Sequence, residues 1–258
     1  MGERREAIFP LAGIPIFTGS MEEALRFATA GIGSAEPVSM MTIAAWTVIH
    51  ASEDTEFLAA LRRCRLVLAD GWPIVLIIRM RGGRIQGRLA GADFVDEAAA
   101  WCRGGGRRLL LYGSAEGVAA RAAEALRTRY PGLDVVGITP PFKTAFTDAD
   151  ADAIAGELAA YRPAIVIVGI AVPKGEFLID QLARRMAGVL LLGVGGSLDN
   201  TAGWRARAPK LVQRLYLEWA YRTLQNPKDK VPRMIENLRK FPKVAVALLR
   251  EPPGAGGL

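Results

Sequence analysis

Three short stretches of this chain, residues 66–69, 164–170 and 189–194, carry apolar side chains on consecutive positions instead of alternate ones, and 108–113 reads as a further strand. A strand that shows apolar groups to both sides must be covered on both sides, which is the condition of a parallel sheet between two helical layers. The intervening segments 73–80, 92–102, 116–130, 150–161 and 173–186 read as helices, and this alternation predicts an α/β fold. Short strands are expected around Ile8 and Ile16, with others at 38–44 and 133–138. A helix over 21–30 is opened by a capping box of Ser20 and Glu23, and another follows Asp54 and ends near Cys64. From Gly203 onward the pattern is helical only, over 209–225 and 232–249. The expected division is a core over 1–203 and a basic helical appendage over 204–258.

Charge separates these two parts. Between Trp204 and Arg250 the balance is +9, against +7 for the whole chain, so a near-neutral body carries a basic tail. Such a tail calls for an anionic partner. In it Lys228, Lys230, Arg233, Arg239, Lys240 and Lys243 interleave with Val231, Met234, Ile235, Leu238, Phe241, Val244 and Val246. This basic amphipathic pattern suits an anionic bilayer surface, and equally a helix packed on a core by its apolar face. The tail has few aromatics for base stacking and no nucleic-acid-binding motif, so no nucleic acid is expected as partner. No run is apolar enough for a membrane span, and MGERREAIF does not read as a secretory signal. Cys64 and Cys102 have no metal or redox spacing and read as buried thiols of a reducing compartment.

The chemistry centres on Arg65-Leu-Val-Leu-Ala-Asp-Gly-Trp-Pro-Ile-Val75, where Asp70 ends a buried strand and Pro73 opens a helix. Open α/β sheets bind ligands beyond the carboxyl ends of their strands. A carboxylate there can take a proton from a substrate hydroxyl; it can equally cap the helix, and this stretch alone leaves both open. The single histidine, His50, excludes His-rich metal sites and makes a Ser-His-Asp triad untenable; it reads as a helix residue. Gly193-Val-Gly195-Gly196-Ser197 is a poor dinucleotide fingerprint, with Leu198 in place of the third glycine, but a fair phosphate-binding turn. Asp148, Asp150 and Asp152 have the spacing of a metal-binding acidic motif, yet they open a helix, where acids suit the macrodipole.

LVLADGWPIV, GRLAGADF, IVIVGIAVPKGE, LLGVGGSLDNTAG, RAP and LEWAYRTLQNP, in that order along nearly the whole chain, resemble the WecG/TagA/CpsF glycosyltransferases. The resemblance implies a Rossmann-like parallel sheet with helices on both faces. It also implies an inverting transfer from a UDP-sugar to a polyprenyl-diphosphate-linked saccharide, without cofactor or metal, at the inner face of the cell membrane. A homo-oligomer stays open. Carried over by motif, Asp70 falls on the family's base and Arg88 on an arginine near the substrate, with Asp93 in the same motif. Thr42, Gly193, Gly195 and Asp199, together with Lys174 and Glu176 of the P-K-Q-E-like segment, fall on substrate-binding positions. Arg207 and Arg222 fall on tail arginines that fold over the site. The family's T-x-N asparagine is Ala44 here and the P-K-Q-E glutamine is Gly175. Two amides that can bond a sugar are therefore lost, which changes selectivity. The expected donor sugar is N-acetylmannosamine, its uronic acid, or a glucose or glucuronate type. The rival readings are a family member of low activity that binds a nucleotide, and a nicotinamide-linked oxidoreductase.

Overall fold

The computed structural model describes residues 7–204, 208–209, 212, 218–225 and 227–251, without the side chains of 218, 219, 222 and 228–230. One eight-stranded sheet organises them. Its strands are β1 (Ile8–Leu11), β2 (Ile14–Phe17), β3 (Val38–Ile43), β4 (Leu66–Ala69), β5 (Leu109–Gly113), β6 (Val135–Ile138), β7 (Ile165–Gly169) and β8 (Leu190–Gly193). They run in the order β1-β2-β4-β3-β8-β7-β5-β6, and only β1 and β2 pair antiparallel. The central strands β4, β5, β7 and β8 are buried at every position, as their unbroken apolar runs require.

Because successive strand residues point to opposite faces, each strand feeds two cores. Leu110, Tyr112, Val166 and Val168 enter one, and Leu109, Leu111, Ile165 and Ile167 enter the other. The first face is covered by α2 (Ala45–Glu53), α3 (Thr55–Arg63), α4 (Trp72–Met80), α7 (Asp148–Ala160) and α8 (Lys174–Ala183). The second is covered by α1 (Met21–Thr29), α5 (Gly91–Gly104), α6 (Val118–Arg129) and the short α9 (Ser197–Thr201). Local signals set several boundaries. Ser20 and Glu23 form the expected capping box at α1, and Asp54 caps α3 through the N–H groups of Glu56 and Phe57. The acidic run opens α7 as a cap: Thr147 and Asp150 form a capping box, Lys143 pairs with Asp150, and Arg185 pairs with Asp148 and Asp152.

The tail departs from expectation at one boundary. Pro232 is expected to open the last helix, but α11 spans Pro227–Arg250 and passes through both Pro232 and Pro242. Each internal proline removes one helical hydrogen bond, a loss that the packing of α11 on α2 and α4 offsets. Val244 and Leu248 are buried in the first core, with Phe241, Ala245 and Leu249 packed against it. Lys240 pairs with both Glu53 on α2 and Glu236 on its own helix. The basic helix is thus docked by its apolar stripe, and α10 (Glu218–Gln225) precedes it. Most of the expected helix over 209–225 lies outside the described residues before Glu218. No helix among the described residues is long and apolar enough to cross a membrane.

Candidate active site

The carboxyl ends of β3, β4, β7 and β8 open onto one cavity of about 620 Å³. Its wall includes Thr42, Ala44 and Trp46 after β3, Asp70 after β4, Ala171 and Val172 after β7, and Gly195, Asp199 and Asn200 after β8. Trp204, Gln225 and Arg233 complete it from the C-terminal side.

Asp70 does not cap α4. The N-cap is Gly71, which makes no side-chain bond, and Pro73 fills the first turn. Instead the main-chain N–H of Asp70 donates to Ile43 O at 2.9 Å, pinning the end of β4 to β3. Its carboxylate faces Arg88, with Nε 3.5 Å from Oδ1, and accepts from the Gly91 N–H at 3.5 Å. The side chains are 29% exposed for Asp70 and 16% for Arg88, so both are sheltered, and of the two Asp70 lines the cavity. Arg88 is delivered by the loop between α4 and α5, whose Gln86 and Leu89 N–H groups donate to Thr18 O and Ala69 O. The chain after Asp70 packs closely on α2: a Cβ at Gly71 would stand 3.2 Å from the Ala44 Cα, a tight contact.

Across the cavity, the Thr42 hydroxyl donates to Gly193 O at 3.3 Å and ties β3 to the glycine turn. Gly195 adopts a left-handed φ of +52°, which favours glycine. Leu198, where a dinucleotide fingerprint has its third glycine, is fully buried, and Ser197 begins a helix of five residues. The turn therefore serves the cavity wall and not a long helix N-terminus.

Of the residues singled out in the sequence, Asp70, Thr42, Gly195 and Asp199 are brought to the cavity, with Arg88 paired to Asp70 and Gly193 bonded to Thr42. Asp93 stands in the first turn of α5, outside the lining. Lys174 turns elsewhere: its Nζ donates to Lys143 O at 2.8 Å and lies 4.4 Å from the centre of the Phe142 ring. Glu176 is buried and also outside the lining. Arg207, with the Arg222 side chain, lies outside the described residues.

The sequence reading missed Arg233, Trp46 and Asn200. Arg233 counts as a membrane-facing cation in the tail, yet its guanidinium lies 4.5 Å over the Trp46 ring and lines the cavity. Burial pulls its pKa down from the usual guanidinium value, opposed by Glu176 and then Glu236. The Asn200 Nδ2 is buried without a hydrogen-bond partner. His50 is a helix residue as expected, its ring edge-on to Trp46 at 4.7 Å, with its pKa lowered by burial and by Arg233. The signal for Trp46 and Arg233 is the docking of α11 on α2, which the helical pattern alone does not specify.

The cavity lies at the carboxyl edge of a doubly wound, Rossmann-like sheet, where such folds bind ligands, and it is lined by a carboxylate that pairs with an arginine. The motifs give the particular kind: the chain belongs to the WecG/TagA/CpsF family of glycosyl transferases, which it matches over residues 9–254. It is 29% identical over 201 residues to an N-acetylglucosaminyldiphosphoundecaprenol N-acetyl-beta-D-mannosaminyltransferase of Bacillus spizizenii, covering 78% of this chain and 74% of that one. To the enzyme of the same name from Bacillus subtilis it is 28% identical over 201 residues, covering 78% and 75%.

Proposed function

We propose that this chain transfers a hexose from a UDP-sugar to a polyprenyl-diphosphate-linked saccharide in a single inverting, metal-independent displacement. The observation that carries this reading is Asp70, a carboxylate that is not the cap of α4 and lines the cavity, paired with Arg88. The acceptor hydroxyl lies against Asp70, which removes its proton as the oxygen attacks the anomeric carbon. The new C–O bond forms on the face opposite the nucleotide, and the bond to the diphosphate oxygen breaks with its electron pair leaving on UDP. Arg88 and Arg233, joined by the tail arginines Arg207 and Arg222, neutralise the departing charge through charge-assisted hydrogen bonds. Thr42, Gly193, Gly195 and Asp199 shape the nucleotide side.

The relatives' acceptor, a diphosphoundecaprenol-linked N-acetylglucosamine, is the acceptor class we assign, in cell-surface or exopolysaccharide synthesis. That substrate sits in a bilayer, and α11 offers a surface for it: Leu238 and Val246 are exposed beside Arg239 and Lys243, with Leu76 and Met80 exposed on the neighbouring α4. We therefore place the protein peripherally on the inner membrane face, with residues 204–258 as the closing and membrane-contacting part.

Asp70→Asn keeps the side-chain shape and removes the base. Turnover of a UDP-hexose with a lipid-linked N-acetylglucosamine acceptor should fall about 10²–10⁴-fold, the usual worth of a general base, with the melting temperature little changed. Near-normal turnover in that variant would remove Asp70 from the mechanism.

A further inference from the structure

Two tryptophans line the cavity, and they are differently engaged. Trp46 is half-buried, with the Arg233 guanidinium 4.5 Å over its ring and the His50 ring edge-on at 4.7 Å. Trp204 is 55% exposed, and its ring meets the Arg121 guanidinium of α6 at 5.6 Å. The backbone beneath it is anchored. Leu198 and Ala202 are buried in the second core, and the Trp204 N–H donates to Asp199 O at 3.0 Å. A broad, flat ring held open on the wall of a ligand cavity is a stacking surface. Asn200, on the same short α9, lines the cavity as well, and its Nδ2 is a buried donor without a partner. Such a donor costs stability unless an acceptor reaches it. A carboxamide has one donating and one accepting side, the complement of a ring edge that carries a carbonyl beside an N–H.

The sheet separates this cluster from the carboxylate. Asp70 follows β4 and the cluster follows β8, with β3 between them. Neighbouring strands stand about 4.8 Å apart, so the two strand ends are about 10 Å apart. In a nucleoside-diphosphate sugar the diphosphate likewise parts the base from the anomeric carbon. We propose that Trp204 and Asn200 form the subsite that recognises the donor's base: the indole stacks on uracil, and the Asn200 amide bonds the carbonyl and N–H of its edge. The inference rests on the donor reading above. With the base held beyond β8, the diphosphate runs back across β3 and brings the anomeric carbon to Asp70.

The test is UDP affinity by titration calorimetry on the intact chain, for wild type, Trp204→Phe, Trp204→Ala and Asn200→Leu. Stacking of a base on an aromatic side chain is worth about 5- to 150-fold in affinity by alanine substitution, so Trp204→Ala should weaken UDP binding within that range. Trp204→Phe keeps an aromatic face and should recover most of the loss. Asn200→Leu should weaken binding about tenfold. Saturating UDP should quench the tryptophan fluorescence of the wild type, and less so in Trp204→Phe. UDP bound by Trp204→Ala as tightly as by wild type, or quenching undiminished in Trp204→Phe, would overturn the proposal. A loss in Trp204→Ala that Trp204→Phe does not recover would also overturn it and leave Trp204 a packing residue. Wild-type affinity in Asn200→Leu would remove Asn200 from the subsite. Failure of the wild type to bind UDP would instead overturn the donor reading, and this inference with it.

Discussion

Glu251, the residue after α11, is held where a surface tail would not be. Its side chain is 3% exposed, its Oε2 lies 2.8 Å from Arg81 Nη1, and it accepts from the Ala12 N–H at 2.9 Å. Arg81, itself 9% exposed, also donates to the Glu251 main-chain carbonyl at 2.9 Å and lies 5.4 Å over the Phe9 ring. Glu251→Ala strips the carboxylate and leaves a buried guanidinium, a change that costs about 3–5 kcal/mol in comparable pairs. Arg81 keeps its carbonyl partner and its aromatic neighbour, which puts the expected loss near about 3 kcal/mol. For a chain of this size that is a fall in melting temperature of about 6–12 °C. Because α11 also carries Arg233 into the cavity, UDP affinity should drop although no cavity residue is changed. Thermal unfolding with and without UDP reads both effects, and an Arg81→Met/Glu251→Leu double variant should recover part of the stability, the buried Ala12 N–H staying unpaired. A loss below about 1 kcal/mol for Glu251→Ala, the scale of an exposed pair, would refute the claim that this clamp fixes the tail.

Three further outcomes are expected. Ala44 is the N-cap of α2 and makes no side-chain cap bond, so Ala44→Asn should stabilise the fold by about 0.5–2 kcal/mol and shift selectivity among UDP-sugars, read by melting and by a donor competition panel. Gly175→Gln should do the reverse, losing at least about 1–3 kcal/mol, because a Cβ there would stand 2.4 Å from the Ile170 carbonyl oxygen; an unchanged melting temperature would show that this backbone gives way freely. At the membrane, each cation near an anionic surface contributes about 1 kcal/mol, so Arg239→Gln/Lys243→Gln should weaken partitioning onto phosphatidylglycerol vesicles about thirtyfold. Equal vesicle binding would detach α11 from that role.

Much of the sheet was legible because β4, β5, β7 and β8 are apolar on both faces, and only a covered parallel sheet tolerates that. Asp70 was legible for the same reason, since the end of such a strand is where an α/β fold exposes polar groups to a ligand. α2 was not set out as a helix because AWTVIHASE has weak periodicity and starts at an alanine, which offers no capping oxygen. Arg233 was misplaced because a basic amphipathic pattern says that one face is buried without saying what the rest meets. The burial of Val244 and Leu248 and the Lys240–Glu53 pair orient α11 on α2, and Arg233 lies over Trp46 of that helix. Glu176 reads as a ligand-binding acid by its motif, and it is buried in the first turn of α8, outside the cavity lining. Sequence spacing carries no information about that burial.

The proposed donor site is tested most directly by the cavity's choice of nucleotide. Added at about 100 times its dissociation constant, UDP should stabilise the native protein by about 2.7 kcal/mol, and that gain should shrink in Arg233→Gln. A melting temperature unmoved by UDP and raised by a nicotinamide dinucleotide would contradict it.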